Sequence, residues 1–181
     1  MELIEELKIL ENTYHNEEDL LIAKNSSSVL LINLSNDLIN NTYLKAITRF
    51  VAASTSSSYV VNTKESILLN EEEINNKIKE LINEQEIKLV INIKPAKEDY
   101  DVMYKKSNNL DYTTIKELED AFHESLITNI KEYETKEENT NYDYIELLIN
   151  DSYHNLEEPE KVEKLSQALI NFIKMYTNFS D

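Results

Sequence analysis

The segment Ile-Lys-Leu-Val-Ile-Asn-Ile-Lys at residues 87–94 alternates apolar and polar side chains. The odd-numbered positions are isoleucine or leucine, and the even-numbered ones are lysine or asparagine, with Val90 as the one exception. A period of two residues is typical of a β-strand that buries one face. Helical and extended patterns alternate before this segment, and every strong pattern after it is helical. The sequence therefore predicts a sheet in the first half of the chain.

Further periodic segments surround this strand. Short apolar runs bounded by turn-forming residues predict strands, and apolar residues spaced by three and four predict amphipathic helices. The first half reads as a short helix at 1–10, an undecided segment at 20–22, a strand at 29–34, a helix at 37–53, a strand at 59–61, a possible strand at 67–69, a helix at 71–84 and the strand at 86–94, which Pro95 ends.

The second half gives helical patterns only. Residues 98–109 read as an irregular link, 114–134 as a helix and the segment around 144–149 as a shorter helix. Residues 156–159 read as the start of a last helix, with proline in its first turn, and 162–176 as its strongly amphipathic stripe. The predicted fold class is α+β, with a small three- to four-stranded sheet and flanking helices in the N-terminal half and an α-helical C-terminal part. Residues 1–95 would form the sheet subdomain and residues 96–181 an acidic, tyrosine-rich helical subdomain, or both would form one continuous domain.

Glycine is absent from the 181 residues, although average usage of about 7% would supply about 13. Phosphate-binding loops, dinucleotide-binding turns and the nucleophile elbow of α/β-hydrolases all need glycine where the backbone turns tightly or approaches a ligand. The composition argues against these motifs. It also implies that Asn, Asp or Ser fills positions with positive φ. The candidates are the pairs Asn40-Asn41, Asn75-Asn76 and Asn108-Asn109, although 75–76 lies in a helical pattern.

Cysteine is absent as well, so the chain has no disulfide, no thiolate nucleophile and no zinc–thiolate site. The first residues are acidic where a secretion signal would be basic. The longest aliphatic run, residues 29–32, is far shorter than the roughly 18 residues of a membrane span. We therefore expect a cytoplasmic protein.

Charge is the most extreme property of the sequence. The chain carries 35 acids and 18 bases, a net charge of −17, and about −12 of it lies in residues 98–181. Such a field repels nucleic acid and anionic membranes and attracts basic partners or cations. Direct binding to nucleic acid or to a membrane is therefore not expected.

Three patterns could support catalysis or metal binding, and each has a simpler explanation. Asp120–His123 and Asp151–His154 share a D-x-x-H spacing, which places carboxylate and imidazole on one helix face, but acids are so frequent here that the spacing is expected by chance. The serines at 54 and 56–58 have no evident base beside them. The acids at 71–73 suit the N-terminus of a helix. We expect no catalytic residues, no cofactor and no metal.

Tyrosines interspersed with acids form the strongest candidate for a functional surface. Eight of the eleven tyrosines lie in residues 98–181, several directly beside carboxylates. Tyrosine is a frequent interface anchor, and acids around it suit a basic partner. The predicted partner-binding residues are Asp99, Tyr100, Asp101, Tyr104, Glu132, Tyr133, Glu134, Glu137, Glu138, Tyr142, Asp143 and Tyr144.

The favoured hypothesis is a non-enzymatic acidic binding protein. It would inhibit a basic nucleic-acid-handling enzyme, such as a nuclease, by occupying its positively charged groove, as a phage or mobile-element anti-defence inhibitor (an anti-CRISPR protein, for example) or an immunity protein would. One alternative is an acidic structural or adaptor subunit that assembles through the amphipathic C-terminal helix; a homo-oligomer is one form that this assembly could take. A second is a carboxylate- or metal-dependent enzyme.

Overall fold

The computed structural model describes residues 3, 5, 7, 20–23, 28–34, 44–62, 71–96, 100–107, 109–136, 142–155 and 157–180. Seven strands form one sheet in the order β1-β3-β2-β4-β7-β5-β6. The strands are β1 (Leu20–Ala23), β2 (Val29–Asn33), β3 (Ser58–Asn62), β4 (Leu89–Ala96), β5 (Val102–Ser107), β6 (Ile130–Lys136) and β7 (Asp143–Asn150). The helices are α1 (Leu44–Thr55), α2 (Glu71–Glu84), α3 (Tyr112–Glu124) and α4 (Pro159–Ser180), with a 3₁₀-helix at Asp151–His154.

The centre of the sheet is parallel. Strands β3, β2, β4 and β7 run in one direction, whereas β1 is antiparallel to β3, and β5 is antiparallel to β7. Strand β6 pairs in parallel with β5 at the far edge. The sheet takes strands from both sides of residue 95, since β4 and β7 pair along eight residues of each.

The two faces of the sheet are covered unequally. One face, here called the core face, packs against α1, α3 and α4, and residues such as Leu31, Ile91, Leu147 and Phe172 are fully buried there. On the other face, the open face, α2 packs over the part formed by β2, β3 and β4, with Leu30, Val60 and Val90 beneath Ile78 and Leu81. Burial of apolar side chains on both faces explains why β2 is a continuous apolar run.

The predicted fold class is wrong. A seven-stranded mixed sheet with helices on both faces replaces the small sheet and separate helical part. The link predicted at 98–109 contains β5, and the helix predicted near 144–149 is β7. The helix predicted at 114–134 ends at Glu124, and β6 follows from Ile130.

These errors have a physical cause. Strand β7 has its odd-numbered apolar residues on the core face and Leu148 on the other, so its apolar pattern resembles both a strand and a short helix. After α3, Leu126 has a φ of 64°, which ends the helix although the apolar spacing continues through Ile130 and Tyr133. The spacing of apolar residues cannot reveal that the backbone takes a left-handed conformation at a single residue.

Several element predictions are confirmed. Helix α2 spans residues 71–84 as expected, β2, β3 and β4 lie where the apolar runs placed them, and α4 begins at Pro159. Residues 20–22, left undecided, belong to β1. The possible strand at 67–69 lies outside the described residues. No helix within the described residues has the length and apolar character that crossing a membrane requires.

Three helices end in the same way without glycine. The residues with positive φ are Ser56, Glu86 and Leu126, at 55°, 52° and 64°. The residue after each donates its backbone N–H to the carbonyl five residues earlier: Ser57 to Ala52 at 2.9 Å, Ile87 to Ile82 at 3.1 Å and Ile127 to Phe122 at 2.9 Å. This is the Schellman arrangement, which normally uses glycine. Serine was expected at such a position, but Glu86 and Leu126 were not.

Replacing Glu86 by glycine should stabilise the fold, because a left-handed conformation is strained for a residue with a Cβ atom. We expect Glu86→Gly to be about 1 kcal/mol more stable than Glu86→Ala, as measured by urea unfolding. The alanine variant is the matched control, since it removes the same side chain but keeps Cβ. Equal stability of the two variants would show that the positive φ is not strained.

Candidate functional site

The side of the sheet to which the chain adds its next strand changes between β2 and β4. From β2 the chain passes through α1, on the core face, to β3 on one side. From β3 it passes α2, on the open face, to β4 on the other side of β2. Open α/β sheets bind ligands outside the carboxyl ends of their strands at such a switch point. The topology therefore predicts a ligand site near the carboxyl end of β2, beside β4 and the adjacent β7.

Four polar side chains meet on the open face, level with the carboxyl end of β2, whose Ile32 is opposite Asn92: Asn92 and Lys94 of β4, and Tyr144 and Glu146 of β7. The Asn92 Nδ2 donates to the Tyr144 hydroxyl at 3.1 Å, and that hydroxyl donates to Glu146 Oε2 at 3.3 Å. Lys94 Nζ lies 3.5 Å from Glu146 Oε1. We call these four residues the switch-point cluster. Asn92 and Glu146 face each other in the register of the two parallel strands.

The cluster is only partly open to solvent. The Glu146 side chain is 15% exposed and that of Lys94 is 46% exposed. Burial raises the pKa of Tyr144 to about 12; Glu146 adds to this, whereas the hydrogen bond from Asn92 acts in the opposite direction. The hydroxyl is therefore protonated at neutral pH, and its one proton is donated to Glu146.

Asn92 leaves one acceptor unused. Its side-chain oxygen is buried and has no hydrogen-bond partner among the described residues. An unsatisfied buried acceptor costs about 1–3 kcal/mol, and native proteins rarely keep one without a reason. The cluster thus combines a carboxylate, an ammonium group, a hydroxyl donor and a spare acceptor within a few ångströms.

A second polar group lies along the same carboxyl edge. Tyr153 of the 3₁₀-helix is hydrogen-bonded to Asp101; burial, followed by the effects of Asp101 and Glu158, raises the pKa of Tyr153 to about 12. In the same helix, His154 Nε2 lies 3.5 Å from Asp151 Oδ1, and the imidazole is only 1% exposed. The D-x-x-H pair at 151–154 therefore forms a real contact, although on a 3₁₀-helix that follows β7.

The described residues do not supply a metal site. No three His, Cys, Asp or Glu side chains among them converge closely enough to hold an ion. The segments 35–43, 63–70 and 97–99 follow the carboxyl ends of β2, β3 and β4 and lie outside the described residues.

The structure scatters the predicted partner-binding residues. Tyr144 belongs to the switch-point cluster, and Tyr142 packs against the apolar residues under α2. Tyr104 is 2% exposed on the core face, where its hydroxyl donates to Glu119 at 2.7 Å. Burial, followed by Glu119, raises the pKa of Tyr104. An interior position leaves this side chain little contact area for a partner.

The remaining predicted residues lie at edges of the sheet. Lys131 contacts Tyr100, Lys105 lies over the ring of Tyr133, and Glu132 is exposed on β6. Asp143 begins β7 at the opposite edge from Asp101. Glu134 is described in its backbone only, and Asp99, Glu137 and Glu138 lie outside the described residues. A partner-binding role for this set stays a prediction.

The sequence did not identify three residues of the switch-point cluster as candidates for a site: Asn92, Lys94 and Glu146. Asn92 and Lys94 stand in the alternating stretch that anchors the sequence analysis, where they were taken only as a solvent-facing side. Glu146 is the only acid in the interior of a strand that otherwise continues as apolar residues. A carboxylate in a central parallel strand is a recognisable signal, because burying it is costly.

Comparison of the structure with solved structures finds the same fold in several proteins, among them an amidase and a hydrolase. A gene product of Agrobacterium tumefaciens matches with a TM-score of 0.58 at 10% identity, over 92% of this chain and 98% of that one. A bacteriophage poly-γ-glutamate hydrolase matches with a TM-score of 0.56 at 8% identity, over 94% and 97%. The catalytic domain of CwlV, an N-acetylmuramoyl-L-alanine amidase from Bacillus (Paenibacillus) polymyxa, matches with a TM-score of 0.53 at 9% identity, over 83% and 98%.

No protein-family model and no curated protein sequence matches the chain. The structural matches still overturn the functional prediction. A non-enzymatic inhibitor that fills a cationic groove, such as an anti-CRISPR protein, is wrong, because this chain has the fold of an amidase and a hydrolase. The expectation that the chain is not an enzyme is corrected with it. The likeness at these identities concerns the fold.

Asp143, one of the predicted partner-binding residues, should make the stability of the fold depend on pH. Burial, followed by repulsion from Asp111, raises the pKa of Asp143, and its hydrogen bond with Tyr176 acts in the opposite direction. A raised folded-state pKa means that the native protein binds this proton more tightly than the unfolded chain. Stability from this group falls as the pH rises from 3.8, its ordinary pKa, through the raised value.

Asp143→Asn should therefore raise the urea midpoint at pH 7 and flatten the dependence of stability on pH in that window. The amide oxygen can still accept the Tyr176 hydroxyl. Asp120→Asn, at an exposed carboxylate on α3, is the control and should change little. A lower midpoint for Asp143→Asn at pH 7 would contradict the assigned cost of this charge.

Proposed function

We propose that the protein hydrolyses an amide bond of a peptide-like substrate at the switch-point cluster. The observation that carries the proposal is the hydrogen-bonded chain from Asn92 through Tyr144 to Glu146, beside Lys94, at the position where such sheets bind ligands. The fold likeness to an amidase and to a poly-γ-glutamate hydrolase supports the reaction class.

Each side chain has a role that its chemistry allows. Glu146 is the general base, which takes a proton from water as the water oxygen attacks the carbonyl carbon. Tyr144 donates its hydroxyl proton to Glu146 and so holds the carboxylate in place, while Lys94 donates a hydrogen bond toward the negative charge that develops on the carbonyl oxygen. The C–N bond then breaks, and the proton held by Glu146 passes to the leaving nitrogen.

Replacing Glu146 by glutamine should lower the rate of hydrolysis at least about 100-fold, since positioned general bases contribute about 10²–10⁴. The assay would follow release of free amine from poly-γ-glutamate and from N-acetylmuramoyl-L-alanine peptides. It would be run with added zinc chloride, with EDTA and with neither, because segments at the same edge lie outside the described residues.

Glu132→Gln is the matched control: Glu132 is an exposed carboxylate on β6 and should not affect the rate. Circular dichroism of each variant would establish that it is folded. The proposal fails if the unmodified protein releases no amine under any of the three conditions, or if Glu146→Gln is as active as the unmodified protein.

A further inference from the structure

A groove lies on the layer of helices that covers the core face. Helix α4 forms it together with Phe50 of α1, the end of α3 and Leu3, and its volume is about 680 Å³. Clefts that bind ligands have volumes of roughly 300–1,000 Å³. The sheet separates this groove from the switch-point cluster, which is on the open face. We call it the helix groove, and the proposed hydrolysis makes no use of it.

Apolar side chains from four parts of the chain line the helix groove. Leu3 and Phe50 pack partly buried against the core, and Ile170 of α4 is nearly buried. Leu126, just after α3, is 71% exposed. Single exposed leucines are common on protein surfaces, whereas apolar side chains that share one groove are typical of an interaction site.

Leu126 occupies a position that neither burial nor backbone conformation favours. Its φ of 64° is strained for a residue with a Cβ atom. Ser56 and Glu86 share this conformation, but both are polar and neither lines the helix groove. Strained residues cluster at sites that hold ligands. Here the strained residue places a large apolar side chain at the edge of the groove.

The charged residues of the groove are mostly acidic. Three carboxylates and one ammonium group line it, a net charge of −2, from Glu124, Glu160, Glu163 and Lys164. Within the described part of the chain, none of the three carboxylates forms an ion pair or a side-chain hydrogen bond. Glu160 suits the first turn of α4, but the helix dipole opposes Glu124 in the last turn of α3. The helix itself therefore does not explain Glu124.

The helix groove follows the axis of α4. Its lining residues recur along α4 at intervals of three and four, from Glu160 to Asn171, and so share one side of the helix. Eleven residue steps of 1.5 Å give a length of about 16 Å, or three helical turns. Among the described residues, no strand residue lines the groove. An extended peptide would therefore find no strand edge here to pair with.

We propose that the helix groove binds a basic amphipathic helix of a partner protein. Apolar residues of that helix, spaced by three and four, contact Leu3, Phe50 and Leu126, while its lysines and arginines approach the carboxylates. The net charge of −17 attracts such a segment at a distance, and the groove supplies the close contacts. This inference goes beyond the proposed hydrolysis and does not depend on it.

Fluorescence anisotropy with a designed peptide tests the inference. The probe is a fluorescein-labelled peptide of about 14 residues, with leucine at positions i, i+3, i+4 and i+7 and lysine elsewhere, which gives about four turns of amphipathic helix. The full chain is titrated into this probe at about 0.15 M salt.

Leu126→Gly should weaken binding of the probe at least about fivefold, because it removes an apolar contact. The substitution also relieves the positive φ, so the variant should be at least as stable as the unmodified protein. Glu86→Gly is the matched control, since it makes the same backbone change after α2, away from the groove. It should change the affinity less than about twofold.

A second pair of variants tests the carboxylates. Glu124→Gln with Glu163→Gln should weaken binding about fivefold, and the loss should shrink as the salt concentration rises. Glu72→Gln with Glu80→Gln removes the same charge from two exposed positions on α2. This control should change the affinity less than about twofold.

The inference is wrong if the probe does not bind, or if a peptide with glutamate in place of lysine binds equally well. Equal losses from the two glutamate pairs would show a general effect of charge and would also reject it. Self-association that Leu126→Gly abolishes, measured by sedimentation and without binding of the probe, would assign the groove to a second copy of the chain instead. None of these measurements requires hydrolysis, so each proposal can fail without the other.

Discussion

The parallel pairing of β4 with β7 is the interaction on which the rest of the structure depends. Eight residues of each strand pair in register, from Leu89 with Asp143 to Ala96 with Asn150. Within the sheet, β5 and β6 are connected to the other strands only by the pairing of β5 with β7. Strands β1, β3 and β2 are connected only by the pairing of β2 with β4. The pairing joins segments more than 50 residues apart, so it must offset a large loop-closure entropy, and the buried aliphatic residues on both strands supply that free energy.

The same pairing creates the candidate site. Its register sets Asn92 opposite Glu146, and the hydrogen bonds through Tyr144 follow from that placement. A shift of one residue in β7 would turn Glu146 toward the core face, where Ile145 and Leu147 are now fully buried. The cost of burying an unpaired carboxylate there excludes the alternative register. The acid that we assign to catalysis therefore also helps to specify the fold.

The sequence predicted the parts of the fold whose patterns are local. Strand β4 alternates, β2 is a short apolar run between turn formers, and α2 has both a capping signal and an apolar stripe. Strand β7 could not be distinguished from a helix, because its central position leaves apolar residues on both faces. The site was beyond prediction for a related reason: Asn92 and Glu146 are 54 positions apart in the sequence, and only the pairing of their strands brings them together.

Net charge misled the functional prediction because it averages over a surface that is not uniform. Among the described residues, most exposed acids stand on helices, as Glu72, Glu80, Glu160 and Glu163 do, while the open face of the sheet carries charges of both signs, as Lys94 and Glu146 show. A ligand responds to the charges within about one Debye length, roughly 8 Å at physiological ionic strength. Acidic helices therefore repel polyanions at a distance, whereas the lysine and the glutamate of the switch-point cluster would act on a ligand at close range.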